Sequence, residues 1–113
     1  MPTYVMLAQF TQQGVTSIKN TAKRAEDFRL MTSAHSVTVK EIFWTLGQYD
    51  VVVVVDARDE MAMAALSMSA GALGNARTQT LRAFSETEIK TVLGRMAYEY
   101  RREVTWAEMM SAG

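Results

Sequence analysis

Residues 44–55 read W-T-L-G-Q-Y-D-V-V-V-V-V: a strand end, a tight turn and an unbroken apolar strand. Gly47 is free to take positive φ and Asp50 can bond nearby amides, so Gly47-Gln48-Tyr49-Asp50 is read as a hairpin connection. The valines of 51–55 are β-branched, stiff at χ1 and suited to a pleated sheet. An antiparallel strand with one wet face alternates apolar and polar residues. This one does not, so both its faces need cover.

Working outward, the preceding strand is expected over about 39–46, with Ile42, Trp44 and Leu46 alternating against Glu41, Phe43 and Thr45. Another strand, over 3–10, is apolar on both alternating sets: Tyr4, Met6, Ala8 and Phe10 on one, Val5 and Leu7 on the other. Between these strands, residues 11–14 read as a loop. The 15–34 segment takes a helical period, with Ile18, Ala22, Ala25, Phe28 and Met31 near one stripe. Ala34-His35-Ser36 ends that helix without the usual glycine.

After the valine strand, Asp59 is the expected N-cap of a second helix reaching about Leu73, with Glu60 complementing its dipole. Small residues dominate it, which lets a helix lie close on a sheet. Gly74-Asn75 is the stop, and residues 76–84 form a fourth, more polar strand. Ser85 and Glu88 make a capping box opening a third helix, with Ile89, Val92, Leu93, Met96 and Tyr100 on one stripe. Thr105-Trp106-Ala107-Glu108 repeats the signature. The expected organisation is a domain over 1–95 and a helical extension over 96–113.

The order β-α-β-β-α-β is the ferredoxin-like arrangement of an α+β fold. Right-handed crossovers put both main helices on one face of a four-stranded antiparallel sheet, with the first and third strands central. The other face is apolar as well. About ten side chains at ~1.5–3 kcal/mol each would gain on the order of 15–30 kcal/mol gross on burial, against an association cost of roughly 4–15 kcal/mol. Pairing with an identical sheet is the simplest cover, with Val51, Val53 and Val55 as expected oligomer contacts. The alternative cover is the chain's own C-terminal tail. Trp106, Met109 and Met110 form an apolar hook that docks either on its own domain or on a neighbour, the latter building an assembly larger than a dimer.

The 113 residues suffice for one hydrophobic core. Hydrophobic residues make up 49% and charged residues 21%, which excludes a disordered tail. The 12 basic and 12 acidic residues cancel, so neither nucleic acid nor an anionic membrane surface is an expected partner. There are no cysteines, removing thiolate nucleophiles and sulfur-ligated metals. No basic head precedes an apolar segment at the N-terminus, and the expected location is cytoplasmic. His35, the one histidine, cannot supply a histidine-rich metal site. No metal or cofactor site is expected.

The runs V-T-V-K-E-I-F-W-T-L-G-Q-Y-D (37–50) and G-N-A-R-T-Q-T-L-R-A-F (74–84), with P-T-Y-V at the start and I-K-N-T-A-K-R-A-E-D-F over 18–28, resemble the GYD domain family. The resemblance covers about 2–93. It implies a dimeric α+β barrel and little about activity. Two positions depart from the family pattern: Ala22 stands where a proline is frequent, and His35-Ser36 where a glycine usually closes the helix.

Two groups of residues are candidate ligand-binding residues. Trp44, Tyr49 and Asp50 surround the hairpin, where an Asp beside an aromatic hydroxyl can serve as base and donor at a pocket mouth. Alternatively, Asp50 caps the turn and the aromatics pack. Arg24, with Arg77 and Thr78, can surround an anionic group, since the guanidinium fork suits a carboxylate. Alternatively, Arg24 pairs with Glu26, Asp27 or another subunit, and the edge-strand charge is solvated. Gly71-Ala72-Leu73-Gly74 has the spacing of an RNA-clamping loop but reads better as packing and a stop. The function expected is a small-molecule-binding or oligomeric interaction module, with a second copy of the chain and a small molecule as partners. The alternative is a cofactor-independent enzyme acting on a small organic molecule between helices and sheet.

Overall fold

The computed structural model describes residues 1–96. The chain divides into two compact units, Met1–Ala83 and Phe84–Gly113. Trp106, Met109, Met110, Tyr100 and the second capping signature lie outside the described residues.

The first unit runs β1 (Thr3–Phe10), α1 (Gln12–Thr16), a 3₁₀ turn (Ile18–Asn20), α2 (Thr21–Ala34), β2 (Val37–Trp44), β3 (Val51–Ala57), α3 (Glu60–Ala72) and β4 (Ala76–Ala83). The sheet order is β2-β3-β1-β4, antiparallel throughout, so the two most apolar strands are central. This is the expected α+β, ferredoxin-like arrangement. In the second unit, Ser85 and Glu88 form the capping box that opens α4 (Glu86–Gly94), with Ile89, Val92 and Leu93 partly exposed.

The first long helix starts later than its periodicity predicts. The backbone forms one short turn of α-helix, breaks at Ser17 (φ −111°, ψ 34°), passes through the 3₁₀ turn and only then enters α2. Thr11 caps α1, its hydroxyl accepting from Gly14 N–H. At the break, Ser17 O accepts Asn20 N–H at 2.9 Å in the 3₁₀ turn, and Arg24 donates to Ser17 O at 2.7 Å and to Gly14 O at 3.3 Å, taking up carbonyls that a continuous helix would bond internally. The predicted stripe shifts accordingly. Ala22 is exposed, and Ala25, Phe28 and Met31 turn toward the sheet.

Gly14 is required at its position. A Cβ there would stand 2.0 Å from Asn75 O, so α1 can approach the α3–β4 turn only with no side chain. Thr11 N–H donates to Asn75 O at 3.1 Å, and the Thr11 hydroxyl donates to Gly74 O, fastening the same contact. At the far end of α2, Ser36 takes φ 59° where a glycine would be easier. Arg58 N–H donates to Ser36 O at 3.1 Å and helps hold it.

Strand β2 begins and ends two residues earlier than the alternation predicts, leaving Leu46 fully exposed in the turn. Gly47 takes φ 107°, as the turn requires. A bulge between Val39 and Glu41 sets the register, placing Ile42 opposite Val53 and Phe43 opposite Val52. The core forms on the side that α2 and α3 cover: Tyr4, Met6, Val37, Val53, Val55, Ala57, Met63 and Leu66. Val55 and Leu66 have no exposed surface.

Val53 and Val55, two of the expected oligomer contacts, lie in the chain's own core, with Val51 packed against it. The side chains facing away from α2 and α3 are the alternate ones. They are Val5 and Leu7 on β1, Val52 and Val54 on β3, with Phe43 and Leu81 beside them on the edge strands. The four on β1 and β3 are half-buried, and Phe43 and Leu81 are 52% and 42% exposed. Lys40 reaches Asp56 at 3.6 Å at one end of this face.

Candidate functional site

The first unit holds a half-open cavity of about 330 Å³ between α2, α3 and the helix side of the sheet. Its inner wall is apolar, built from Met6, Phe28, Met31, Ile42 and Val53. Each has a local origin. Met6, Ile42 and Val53 fall on the same face by strand alternation, and Phe28 and Met31 share a side of α2. Ala25 and Ala70 keep the two helices from filling the space themselves. Trp44 and Leu73, both strongly exposed, border its opening. The size sits at the lower end of the range for small-molecule sites.

The polar groups around this cavity are Arg24, Thr21, Asp27, Asn75 and Thr78. Arg24 is held in one orientation. Besides the Gly14 and Ser17 carbonyls it donates to Ser17 Oγ at 2.8 Å, and its guanidinium lies 5.6 Å from the Phe10 ring centroid. Among the described residues, no carboxylate pairs with it. Glu26 and Asp27, the alternative partners expected within the chain, are not used. Asp27 bonds Lys23 at 3.3 Å on the exposed side of the helix. Trp44 Nε1–H donates to Thr21 Oγ1 at 2.9 Å, tying the edge strand to the start of α2.

The candidate residues therefore separate. Trp44 and Arg24 meet at the cavity, and Thr78 joins them. Arg77, one residue earlier on β4, faces the other way, opposite Gln9. Tyr49 also lies on that other side, where its hydroxyl donates to Gln79 Oε1 at 2.8 Å. Asp50 is engaged by β1: its Oδ2 accepts Phe10 N–H at 2.8 Å, and its own N–H donates to Ala8 O at 2.8 Å. Asp50 and Arg77 share a more open cleft with Gln9, Phe10, Thr11 and Gln12, without forming an ion pair.

Sequence reasoning missed the groups that aim Arg24. The apolar set Tyr4, Met6, Ala8 and Phe10 already places Phe10 on the helix side, and that was the available signal. The Gly14 and Ser17 carbonyls carry no such mark, because backbone atoms look alike in any sequence. His35 spans α2 and α3: its Nδ1 donates to Met31 O at 2.9 Å, and its Nε2 lies 3.2 Å from Ser69 Oγ. Among the described residues, no three His, Asp or Glu side chains group to hold a metal ion. No described helix is long and apolar enough to cross a membrane.

A ferredoxin-like unit with an apolar cavity beneath its helices and a second apolar sheet face defines a class of small α+β proteins. Comparison with known sequences narrows this. Residues 4–93 match the GYD domain, and the chain belongs to the GYD domain family. A relative from Thermus thermophilus, described as a glutamine synthetase and cystathionine beta-lyase binding protein, is 30% identical over 90 residues, covering 79% of this chain and 95% of the relative. No solved structure gives a significant match.

Proposed function

We propose that this protein is a binding and interaction module whose working unit is a pair of chains joined sheet to sheet, closing an α+β barrel. The observation that carries this is the face away from α2 and α3, where Val5, Leu7, Phe43, Val52, Val54 and Leu81 form one apolar surface. Apolar patches of that kind on small proteins mark association sites. The paired unit docks on other proteins, a reading supported by the Thermus thermophilus relative, a glutamine synthetase and cystathionine beta-lyase binding protein. The setting proposed is cytoplasmic, and Trp106, Met109 and Met110 are assigned to a further assembly of pairs.

The cavity adds a second capacity, the uptake of a small, largely apolar molecule, supported by its volume and lining. A catalytic reading calls for Asp50, Tyr49 or Arg24 at that cavity. Arg24 reaches it, but Asp50 and Tyr49, the groups that would act as base and hydroxyl donor, are engaged elsewhere, so the binding reading is preferred.

Light scattering at micromolar concentration is expected to give twice the chain mass. Val52→Glu is expected to give a single-chain mass with unchanged far-UV circular dichroism, because Val52 lies outside the helix-covered core. A single-chain mass for the unaltered protein overturns the pairing. Docking is checked by co-elution with purified glutamine synthetase and cystathionine beta-lyase of the same organism, and elution apart from both removes the support taken from the relative.

A further inference from the structure

We infer that the cavity is built for a compact monocarboxylate, an apolar body with an anionic head that meets Arg24. The inference rests on the cavity being the small-molecule site proposed above, and it names the class of molecule. At about 30 Å³ per water-sized group, 330 Å³ holds roughly ten non-hydrogen atoms.

The charge around the cavity is lopsided. Asp27 borders it, but its carboxylate is already bonded to Lys23 at 3.3 Å, and that pair is neutral as a unit. Arg24 contributes a full positive charge with no ion-pair partner among the described residues. Three of its N–H donors are taken, by Ser17 O, Ser17 Oγ and Gly14 O. A guanidinium has five donors, so two remain. Neutral acceptors orient this cation and leave its charge uncompensated. A single carboxylate supplies the missing charge and accepts the remaining donors.

The fixed orientation matters for affinity. Arginine normally loses rotamer freedom when it grips an anion. Here the Phe10 ring and the α1 carbonyls have already immobilised it. One cation beside an apolar wall favours a monoanion over a phosphate or a dicarboxylate, whose further charge would be stranded against Met6, Phe28 and Ile42.

The test is isothermal titration of the full chain with 3-phenylpropanoate and with the matching neutral amide, 3-phenylpropanamide. The acid is expected to bind at least tenfold more tightly. Arg24→Gln is expected to remove that gap while leaving amide affinity in place, and Arg24→Lys to keep a preference for the acid. Ala25→Leu, which fills the cavity, is expected to weaken both ligands at least tenfold. Equal affinity for acid and amide, with both weakened by Ala25→Leu, overturns the carboxylate assignment and leaves the cavity as a binding site. No heat from either ligand at millimolar concentration overturns both. The acid-to-amide ratio is read on the unaltered protein, so a poorly folding Arg24→Gln does not block the decision.

Discussion

Val54 and Val55 are the same residue one position apart on the same strand, yet they belong to different regions of the molecule. Val55 has no exposed surface and sits in a core with Tyr4, Met63 and Leu66. Val54 stands on the opposite face, half-buried, between Val5 and Glu41 on the neighbouring strands. The first face is finished by this chain's own α2 and α3. The second is apolar with no helix of the first unit over it. Composition is therefore a poor guide to what a residue does in this sheet. What counts is which side of the pleat it occupies.

The sharpest way to break that contrast is to place one charge on each side. Val55→Asp is expected to abolish folding, since an unpaired buried carboxylate costs more than about 4 kcal/mol, a large part of the roughly 5–15 kcal/mol that holds a domain together. Val54→Asp is expected to keep a native far-UV spectrum. If both variants fold, or neither does, the assignment of faces is wrong.

Truncation should show a smaller contrast in the same direction. Leu66→Ala is expected to cost about 2–5 kcal/mol in urea unfolding, because it empties a fully enclosed position. Leu81→Ala, on the other face, is expected to stay within about 0.5 kcal/mol in dilute solution. A cost for Leu81→Ala that grows with protein concentration would sharpen the comparison, since it would tie that face to pairing.

The smallest effect separates the two hairpin residues. Asp50→Ala leaves Phe10 N–H without its acceptor and is expected to cost about 1–2 kcal/mol. Tyr49→Phe loses an exposed hydrogen bond to Gln79 and is expected to cost about 0.5 kcal/mol or less. Equal unfolding midpoints for Asp50→Ala and the unaltered protein would remove the anchoring role of Asp50.

Much of this architecture is legible in the chain. The strand over Thr3–Phe10, the Asp59 and Ser85 caps and the Gly47 turn all follow from local signals, and the sheet order follows from the order of the elements and the handedness of their crossovers. Each local signal rests on chemistry acting within a few residues: a side-chain oxygen near free amides, a glycine where φ must be positive, a run of β-branched residues. The candidate site was less legible. Trp44 and Arg24 meet at the cavity, while Tyr49, Asp50 and Arg77 do not, although all five are polar or aromatic groups near the same end of the sheet. Adjacent residues on a strand point to opposite faces, so closeness in sequence did not predict closeness in space.

The sequence by itself determined that four strands and two main helices form, and that both sides of the sheet would be apolar. Tertiary structure alone decided which valines enter the core and what holds Arg24. Five consecutive valines carry no polarity to mark an inside, so the choice falls to the helices that cover one side and to the bulge that sets β2 against β3. Arg24 is likewise aimed by the carbonyls of Gly14 and Ser17, which reach it because a glycine lets α1 lie against Asn75.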